Sequence, residues 1–291
     1  MLDSPTTTAA LRFCIVNGYP QASRENFDRS NVGHPHDLFK DFLAREAPNS
    51  TSVIVYVADP DFSLPSGTSI DDFDGFIWTG SDLTVYHTED PRVAGQLAFA
   101  TELMDAGAAS WGSCWGIQMA AQVEGGEVEV NPRGREWGIA RTIELNDAGK
   151  ESPMLAGKPD AFDGFIMHLD EVVRLPEGTD SLGGNTHTPI QAAIFTRGDA
   201  SYWATQYHPE YNLYEMGRLI AARAEALVRE GHFPDEEAVA ACARDMIALH
   251  NDPTDQALRD SLDVGDDIID PDIRELELRN WLRFIVSRST N

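Results

Sequence analysis

The stretch Trp111-Gly112-Ser113-Cys114-Trp115-Gly116-Ile117-Gln118 places one cysteine between two glycines, directly after an apolar run. This spacing is typical of a nucleophile elbow, in which a strand ends, the chain turns sharply at the nucleophile and a helix begins. Glycines are needed at these two positions because a side chain there would collide with the neighbouring strand or helix. The turn would expose the sulfur near a helix N-terminus, where a thiolate is favoured. Taken alone, the stretch is equally compatible with a buried cysteine in a tight turn.

A second stretch, Gln206-Tyr207-His208-Pro209-Glu210, stands near the end of a later apolar run. A cysteine nucleophile needs a base that takes its proton, and the base needs a group that fixes its tautomer. Side chains two residues apart in an extended segment point to the same side, and Pro209 stiffens the link. His208 and Glu210 are therefore predicted to be the base and its orienting partner. An ordinary surface histidine beside an acid is the alternative, and the combination with the elbow favours catalysis.

The two stretches together resemble class I, triad-type glutamine amidotransferases, whose signatures are Gly-x-Cys-x-Gly-x-Gln and Gln-Phe/Tyr-His-Pro-Glu. The resemblance covers roughly residues 10 to 230. It implies a catalytic triad of Cys114, His208 and Glu210. Many amidotransferases carry Gly-Gly-Pro where this chain has Thr79-Gly80-Ser81, so the stand-alone GMP synthase-like and γ-glutamyl peptidase-like members are the better match.

The same resemblance implies further site residues. In the family, an oxyanion is held by backbone N–H groups, which here correspond to Trp115 and to Gly80 or its neighbour Ser81. The family's glutamine after the nucleophile lies close to the bound substrate, which makes Gln118 a substrate-binding candidate.

The segment Met167-His168-Leu169-Asp170 is similar to the family's Ser/Met-His-x-Asp stretch before the last strands. His168 and Asp170 are accordingly candidate accessory residues. Their alternative role is structural, with both side chains capping a strand end through local hydrogen bonds.

The resemblance implies hydrolysis of the γ-amide of glutamine through a γ-glutamyl thioester on Cys114. No P-loop or other ATP-binding signature is found, so the ammonia would pass to a separate synthetase partner if synthesis follows. A stand-alone γ-glutamyl hydrolase or transferase is the close alternative, and a binding protein without activity is the least favoured. The acceptor, and whether the chain forms a homodimer, stay open.

Composition limits the other functions. The chain has 291 residues, 42% of them hydrophobic, which suits a globular α/β enzyme with an appendage. The net charge of −26 disfavours nucleic-acid binding. The three cysteines are odd in number and widely spaced, so we expect no disulfide framework, no metal site and no cofactor. With neither a signal peptide nor an apolar run of membrane-spanning length, we expect a cytoplasmic protein without membrane contact.

Apolar runs alternate with helical periods along the chain, which predicts a doubly wound, mostly parallel sheet flanked by helices, in the flavodoxin-like manner of the family. Short runs at Glu127 to Val130, Ile139 to Leu145 and Phe165 to Met167 predict a small antiparallel layer. An amphipathic helix is expected from Leu213 to Arg229. We expect a catalytic domain over residues 1–230 and a C-terminal helical extension over 231–291.

Overall fold

The computed structural model describes residues 10–289. The beginning of the chain, for which the sequence predicts no signal peptide, lies outside the described residues up to residue 9. No helix among residues 10–289 is long and apolar enough to cross a membrane.

The described part of the chain contains eleven β-strands, numbered in chain order. They are β1 (Arg12–Asn17), β2 (Thr51–Tyr56), β3 (Gly75–Trp78), β4 (Ala109–Ser113), β5 (Glu127–Val130), β6 (Glu136–Leu145), β7 (Ala161–His168), β8 (Asp170–Arg174), β9 (Ser181–Gly184), β10 (Ala192–Arg197) and β11 (Ala200–Thr205).

Residues 10–289 also contain twelve α-helices. They are α1 (Gln21–Arg29), α2 (Pro35–Glu46), α3 (Pro91–Asp105), α4 (Trp115–Val123), α5 (Asp147–Glu151), α6 (Leu213–Ala222), α7 (Ala224–Arg229), α8 (Glu236–Asn251), α9 (Gln256–Leu262), α10 (Asp266–Ile269), α11 (Pro271–Arg274) and α12 (Leu276–Ser289).

Nine strands form one mixed sheet in the order β2-β1-β3-β4-β11-β10-β9-β6-β7. The first five run parallel to one another, and β10, β9, β6 and β7 continue the sheet with antiparallel pairing. The order reverses beside β1, whose two neighbours are β2 and β3. In open α/β sheets, ligands bind at the carboxyl ends of the strands close to such a switch point. The predicted fold class is confirmed.

The predicted antiparallel layer is arranged differently from the expectation. β5 pairs with β8 in a separate two-stranded sheet. β6 and β7, which contain the other two predicted strands, pair with each other and extend the main sheet instead. They are also longer than their apolar runs, because backbone pairing continues through polar residues. β10 and β11 form an antiparallel hairpin around Arg197-Gly198-Asp199.

Alternate side chains of β1 enter two different cores. Phe13 and Ile15 lie in a core with the buried residues of α2 and α12, while Cys14 and Val16 lie in another with residues of α3 and α4. Helices therefore cover both faces of the sheet, which is why β1 is apolar from Phe13 to Val16. Cys14 is a fully buried core residue.

The last helix, α12, packs directly on the sheet. A Cβ on Gly75 would lie 2.9 Å from the Trp281 ring, so glycine permits this close approach. Glu277 is fully buried and accepts hydrogen bonds from Lys158 Nζ at 2.9 Å and from the Tyr207 hydroxyl. Because Tyr207 immediately precedes His208, α12 is connected to the chain segment of the predicted base.

The helix predicted over Leu213–Arg229 is interrupted. Arg223 takes φ −109° and ψ 15°, and separates α6 from α7. The apolar period continues across this break, so the sequence pattern alone does not reveal it. The break leaves Arg223 at the junction of the two helices.

Candidate active site

Cys114 occupies the strained turn that the glycine spacing predicts. It follows β4, precedes α4 and has φ +55° and ψ −91°, a left-handed conformation that is rare for a residue with a side chain. Its backbone N–H donates to the Thr205 carbonyl oxygen at 2.7 Å, which fixes the turn against the end of β11. The cysteine is 6% exposed.

The two glycines that flank the turn are required by close packing. A Cβ on Gly112 would lie 2.5 Å from the Tyr202 hydroxyl and 2.8 Å from the Gly116 Cα. A Cβ on Gly116 would lie 3.2 Å from the same hydroxyl. The steric reason given for this spacing therefore applies in the folded chain.

His208 and Glu210 form a buried pair. His208 Nδ1 donates to Glu210 Oε1 at 2.7 Å, and the two residues are 4% and 5% exposed. The other carboxylate oxygen, Oε2, accepts a hydrogen bond from the Ser113 hydroxyl at 2.9 Å. Since Ser113 directly precedes the cysteine, Glu210 is held against the elbow as well as against the imidazole.

The sulfur of Cys114 has two side-chain partners. It lies close enough to the His208 imidazole to raise the pKa of that ring, and Gln206 Nε2 donates to the sulfur at 3.5 Å. The Met167 carbonyl oxygen lies 3.9 Å from the sulfur. The structure thus brings the three residues of the predicted triad together in one buried cluster.

The electrostatics of this cluster favour the imidazolium. Burial by itself lowers the pKa of His208, but the Glu210 carboxylate and the hydrogen bonds to Cys114 and Glu210 outweigh burial and raise it to about 10. His208 therefore holds a proton beside the sulfur, where it can be given to a leaving group.

The loop after β3 lies next to the imidazole. A Cβ on Gly80 would lie 3.4 Å from His208 Cε1 and 3.1 Å from the Tyr19 hydroxyl. Ser81 Oγ donates to the Gly18 carbonyl oxygen at 2.9 Å, and Thr79 Oγ1 accepts from the Gly18 N–H at 3.1 Å. The Ser81 hydroxyl thereby fixes the loop to the end of β1, and Gly80 lies closer to the reacting groups.

Trp115 and Gln118 lie in the first turn of α4. The Trp115 N–H is one of the first four of the helix, which have no partner within it, and it directly follows the cysteine. Gln118 Nε2 donates to the Asp170 carbonyl oxygen at 2.7 Å and lies 3.4 Å from Gln206 Oε1. Gln118 is thus oriented from both sides, beside the residue that contacts the sulfur.

His168 and Glu136 form a second histidine–carboxylate pair. This pair is connected to Gln118 through the Asp170 carbonyl oxygen, which both His168 and Gln118 contact. His168 Nε2 lies 3.1 Å from Glu136 Oε2, and His168 Nδ1 lies 2.8 Å from the Asp170 carbonyl oxygen, both within hydrogen-bond distance. Thr188, Gln191 and Asn185 also donate to the Glu136 carboxylate. Burial opposes ionisation of Glu136, but these hydrogen bonds outweigh it and lower the pKa of Glu136.

The Asp170 side chain points elsewhere. Its carboxylate accepts from the Tyr86 hydroxyl at 3.2 Å, and burial raises the pKa of Asp170. The backbone oxygen of Asp170 is therefore what connects His168 to Gln118. Of the two side chains, only that of His168 makes a local hydrogen bond, to the Asp170 carbonyl oxygen, so the structural alternative fits His168 and not the Asp170 carboxylate.

Sequence reasoning did not assign a role to Ser113, Gln206, Tyr19 or Glu136. Ser113 and Gln206 stand inside the two quoted motifs, so their proximity to the triad was available as a signal. Tyr19 and Glu136 contribute through long-range packing, and no local pattern marks them. Among residues 10–289, no group of three or more histidine, cysteine or acidic side chains is arranged to hold a metal ion.

The model of the family "Glutamine amidotransferase class-I" matches residues 64–225. The chain therefore belongs to the class-I glutamine amidotransferase family. A solved structure of a glutamine amidotransferase from Thermotoga maritima superimposes with a TM-score of 0.66 over 96% of this chain and 99% of that one, at 17% identity. At this identity the likeness shows the fold alone.

Among curated proteins, the chain is 31% identical over 283 residues to a gamma-glutamyl-L-1-hydroxyisopropylamide hydrolase from a Pseudomonas species. That match covers 95% of this chain and 93% of the relative. The chain is also 28% identical over 149 residues to the glutamine-hydrolyzing GMP synthase of Neisseria meningitidis serogroup B. That second match covers 51% of this chain and only 26% of the synthase. Family and relatives indicate a glutamine amidotransferase or hydrolase enzyme.

Proposed function

We propose that this chain is a free-standing enzyme that hydrolyses the γ-glutamyl C–N bond of a γ-glutamyl amide. The observation that carries this proposal is the buried contact of Cys114, in its strained turn, with a histidine that Glu210 orients at 2.7 Å. A nucleophile, its base and the orienting carboxylate are the minimum set for acyl transfer.

In the first half of the reaction, the Cys114 sulfur attacks the γ-carbonyl carbon of the substrate. A C–S bond forms, and the carbonyl oxygen becomes an oxyanion that accepts from the backbone N–H groups of Trp115 and Gly80. When the intermediate collapses, the C–N bond breaks and His208 gives its proton to the leaving amine. The product on the enzyme is a γ-glutamyl thioester.

In the second half, water replaces the amine beside His208. The imidazole takes one proton from the water as its oxygen attacks the thioester carbon. The C–S bond then breaks, glutamate leaves, and the proton on His208 restores the starting pair with the sulfur. No cofactor or metal enters this balance.

Gln118 and Gln206 support the sulfur side of the site. Gln206 Nε2 contacts the sulfur. Gln118, in the first turn of α4, lies beside Gln206. We assign Gln118 to the glutamyl part of the substrate. We assign Glu210 to positioning, because it touches His208 and Ser113. The free thiol suits a reducing compartment such as the cytoplasm.

A glutaminase subunit that passes ammonia to a separate synthetase is the second candidate. Its support is the match to GMP synthases, although that match spans about half of this chain. The relative that matches nearly the full length is named as a hydrolase, and this favours the free-standing enzyme. We treat the C-terminal helices from residue 231 onward as an extension that stabilises the catalytic domain, because Glu277 holds Tyr207 next to the base.

The test is release of glutamate by the purified chain alone. We expect release from γ-glutamyl-L-1-hydroxyisopropylamide, with weaker release from glutamine, and no release from either by Cys114→Ala. Release that persists in Cys114→Ala would contradict the mechanism. If the wild-type chain released no glutamate from either compound, the proposal of a free-standing enzyme would be overturned. A subunit that needs a partner would then be favoured.

A further inference from the structure

A groove of about 260 Å³ opens between α1, the loop after β3 and the junction of α6 with α7. Phe27, Asp82, Arg223 and Arg229 are among the residues that line it. Its volume lies just below the range of roughly 300 to 1,000 Å³ that is usual for small-molecule sites. It therefore has room for a group of the size of a small amino acid.

Arg223 is the unpaired charge of this groove. Within the described part of the chain its side chain makes no hydrogen bond or ion pair, and its Nε atom is buried. The other charged groups nearby have partners: Arg229 lies 3.7 Å from Glu225, and Asp82 accepts from the Ser23 hydroxyl at 2.6 Å. Arg259 and Arg274 also have a buried Nε without a hydrogen bond, but unlike Arg223 both have carboxylate partners. The planar fork of Arg223 fits a carboxylate ligand through two parallel hydrogen bonds.

The groove shares a wall with the reaction centre. Asp82 follows Gly80 and Ser81 in the chain, so the oxyanion loop continues into the groove. The Phe27 ring packs edge-on against Tyr19 with centroids 4.9 Å apart, and the Tyr19 hydroxyl lies beside Gly80. Burial raises the pKa of Tyr19, a charge on Cys114 raises it further, and Arg223 opposes both. The pKa of the Tyr19 hydroxyl is thus affected both by the Cys114 nucleophile and by the Arg223 guanidinium.

The chemistry assigns the two sides of the bound amide. The glutamyl part lies toward Gln118, and the amide nitrogen must face His208, which protonates it. Gly80 lies against the His208 ring, and Asp82, two residues further along the same loop, lines the groove. A substituent on this nitrogen that follows the loop would enter the groove.

We propose that the groove binds the leaving amine, and that this amine carries a carboxylate that pairs with Arg223. The substrate class is then the γ-glutamyl amino acids, and Arg223 is a specificity-determining residue. This inference rests on the proposed γ-glutamyl hydrolase function and names the substrate class of the same site.

Two substrates that differ in one group test the proposal. In γ-glutamyl-L-alanine a carboxylate stands where γ-glutamyl-L-1-hydroxyisopropylamide has a hydroxymethyl group. We expect the wild-type kcat/KM to be about 10- to 100-fold higher for γ-glutamyl-L-alanine, because the alternative leaves a buried donor unpaired. Arg223→Gln should abolish this ratio, and Arg223→Lys should restore part of it.

Arg229→Gln is the matched control. It removes an equal charge from the same groove, but from a residue that already has a carboxylate partner. The ratio should then stay within about 3-fold of wild type. A wild-type ratio near one, or an Arg223→Gln ratio equal to that of wild type, would overturn the proposal.

Binding separates this proposal from the proposed function. By calorimetry, Cys114→Ala should bind γ-glutamyl-L-alanine more tightly than the hydroxyisopropylamide, and adding Arg223→Gln should remove the difference. If turnover fails while this difference persists, the hydrolase function is wrong and the carboxylate site stands. If turnover depends on Cys114 but no difference in binding is found, the carboxylate site is wrong.

Discussion

Residues 10–289 contain two buried histidine–carboxylate pairs of similar geometry and different position. His208 bonds Glu210 at 2.7 Å and lies beside the Cys114 sulfur, whereas His168 bonds Glu136 at 3.1 Å and also contacts the Asp170 carbonyl oxygen and the Thr188 hydroxyl. We propose that the first pair acts on the nucleophile, whereas the second is connected to it through Gln118 and Gln206. The role that we assign to each pair therefore follows from its position relative to the elbow, because the residue types in the two pairs are the same.

The largest effect is expected from removal of the sulfur. Cys114→Ala should lower kcat for glutamate release by about 10⁴-fold or more, because no other group forms the acyl intermediate. The circular dichroism spectrum and the unfolding midpoint should stay close to those of wild type. Cys242→Ala, at a half-buried cysteine in the helical core around α8, is the matched control and should retain activity.

Glu210→Gln is expected to have the next largest effect. It keeps the volume but removes the charge, and kcat should fall by about 10²- to 10⁴-fold. The pKa of His208 should also fall from its value of about 10, because the Glu210 charge is the largest contribution that raises it. An NMR titration of the imidazole measures this. An unchanged His208 pKa would mean that Glu210 does not orient the base.

Glu136→Gln sharpens the comparison because it makes the same change in the other pair. One oxygen acceptor is replaced by a donor that faces the groups now donating to it, at a cost of about 1–3 kcal/mol in the free energy of unfolding. We expect kcat to fall by no more than about 10-fold. KM should change less than kcat. Urea unfolding and steady-state kinetics measure the two. A kcat as low as that of Glu210→Gln would erase the distinction between the pairs.

The smallest effect is on the pH dependence of stability. The pKa of His208 is higher in the folded chain, about 10, than the ordinary value near 6.5 in an unfolded chain. Its contribution to the free energy of unfolding is then fully present below about pH 6.5 and is lost as the pH rises through 10. The stability advantage of wild type over His208→Gln should shrink across this interval. An advantage that grows with pH would contradict the raised pKa.

Much of the fold could be predicted from the sequence because local patterns specify it. The succession of β4 and α4, for example, follows from the glycine spacing around Cys114. The prediction for β6 and β7 was wrong about the sheet to which they belong. The alternation of polar and apolar residues indicates a strand but does not specify which strand it pairs with. The break at Arg223 was not predicted, because the apolar period of the helix continues across it.

The triad could be predicted because its members stand in two short motifs with a chemical reason for their spacing. Their joint presence in one buried cluster agrees with that prediction, and activity measurements still have to test it. Glu136 and Tyr19 had no such signal, because each depends on contacts between distant segments. Arg223 had no such signal either, because its lack of a partner depends on the contacts that the fold makes.

The most direct test of the account is a search for the acyl intermediate. The wild-type chain is mixed with γ-glutamyl-L-alanine, or with the hydroxyisopropylamide, quenched in acid and analysed by peptide mass spectrometry. The account predicts one γ-glutamyl group on the peptide that contains Cys114, absent in Cys114→Ala and released by hydroxylamine as expected for a thioester. Turnover with no modification on that peptide at any quench time, or with the group on another residue, would contradict it.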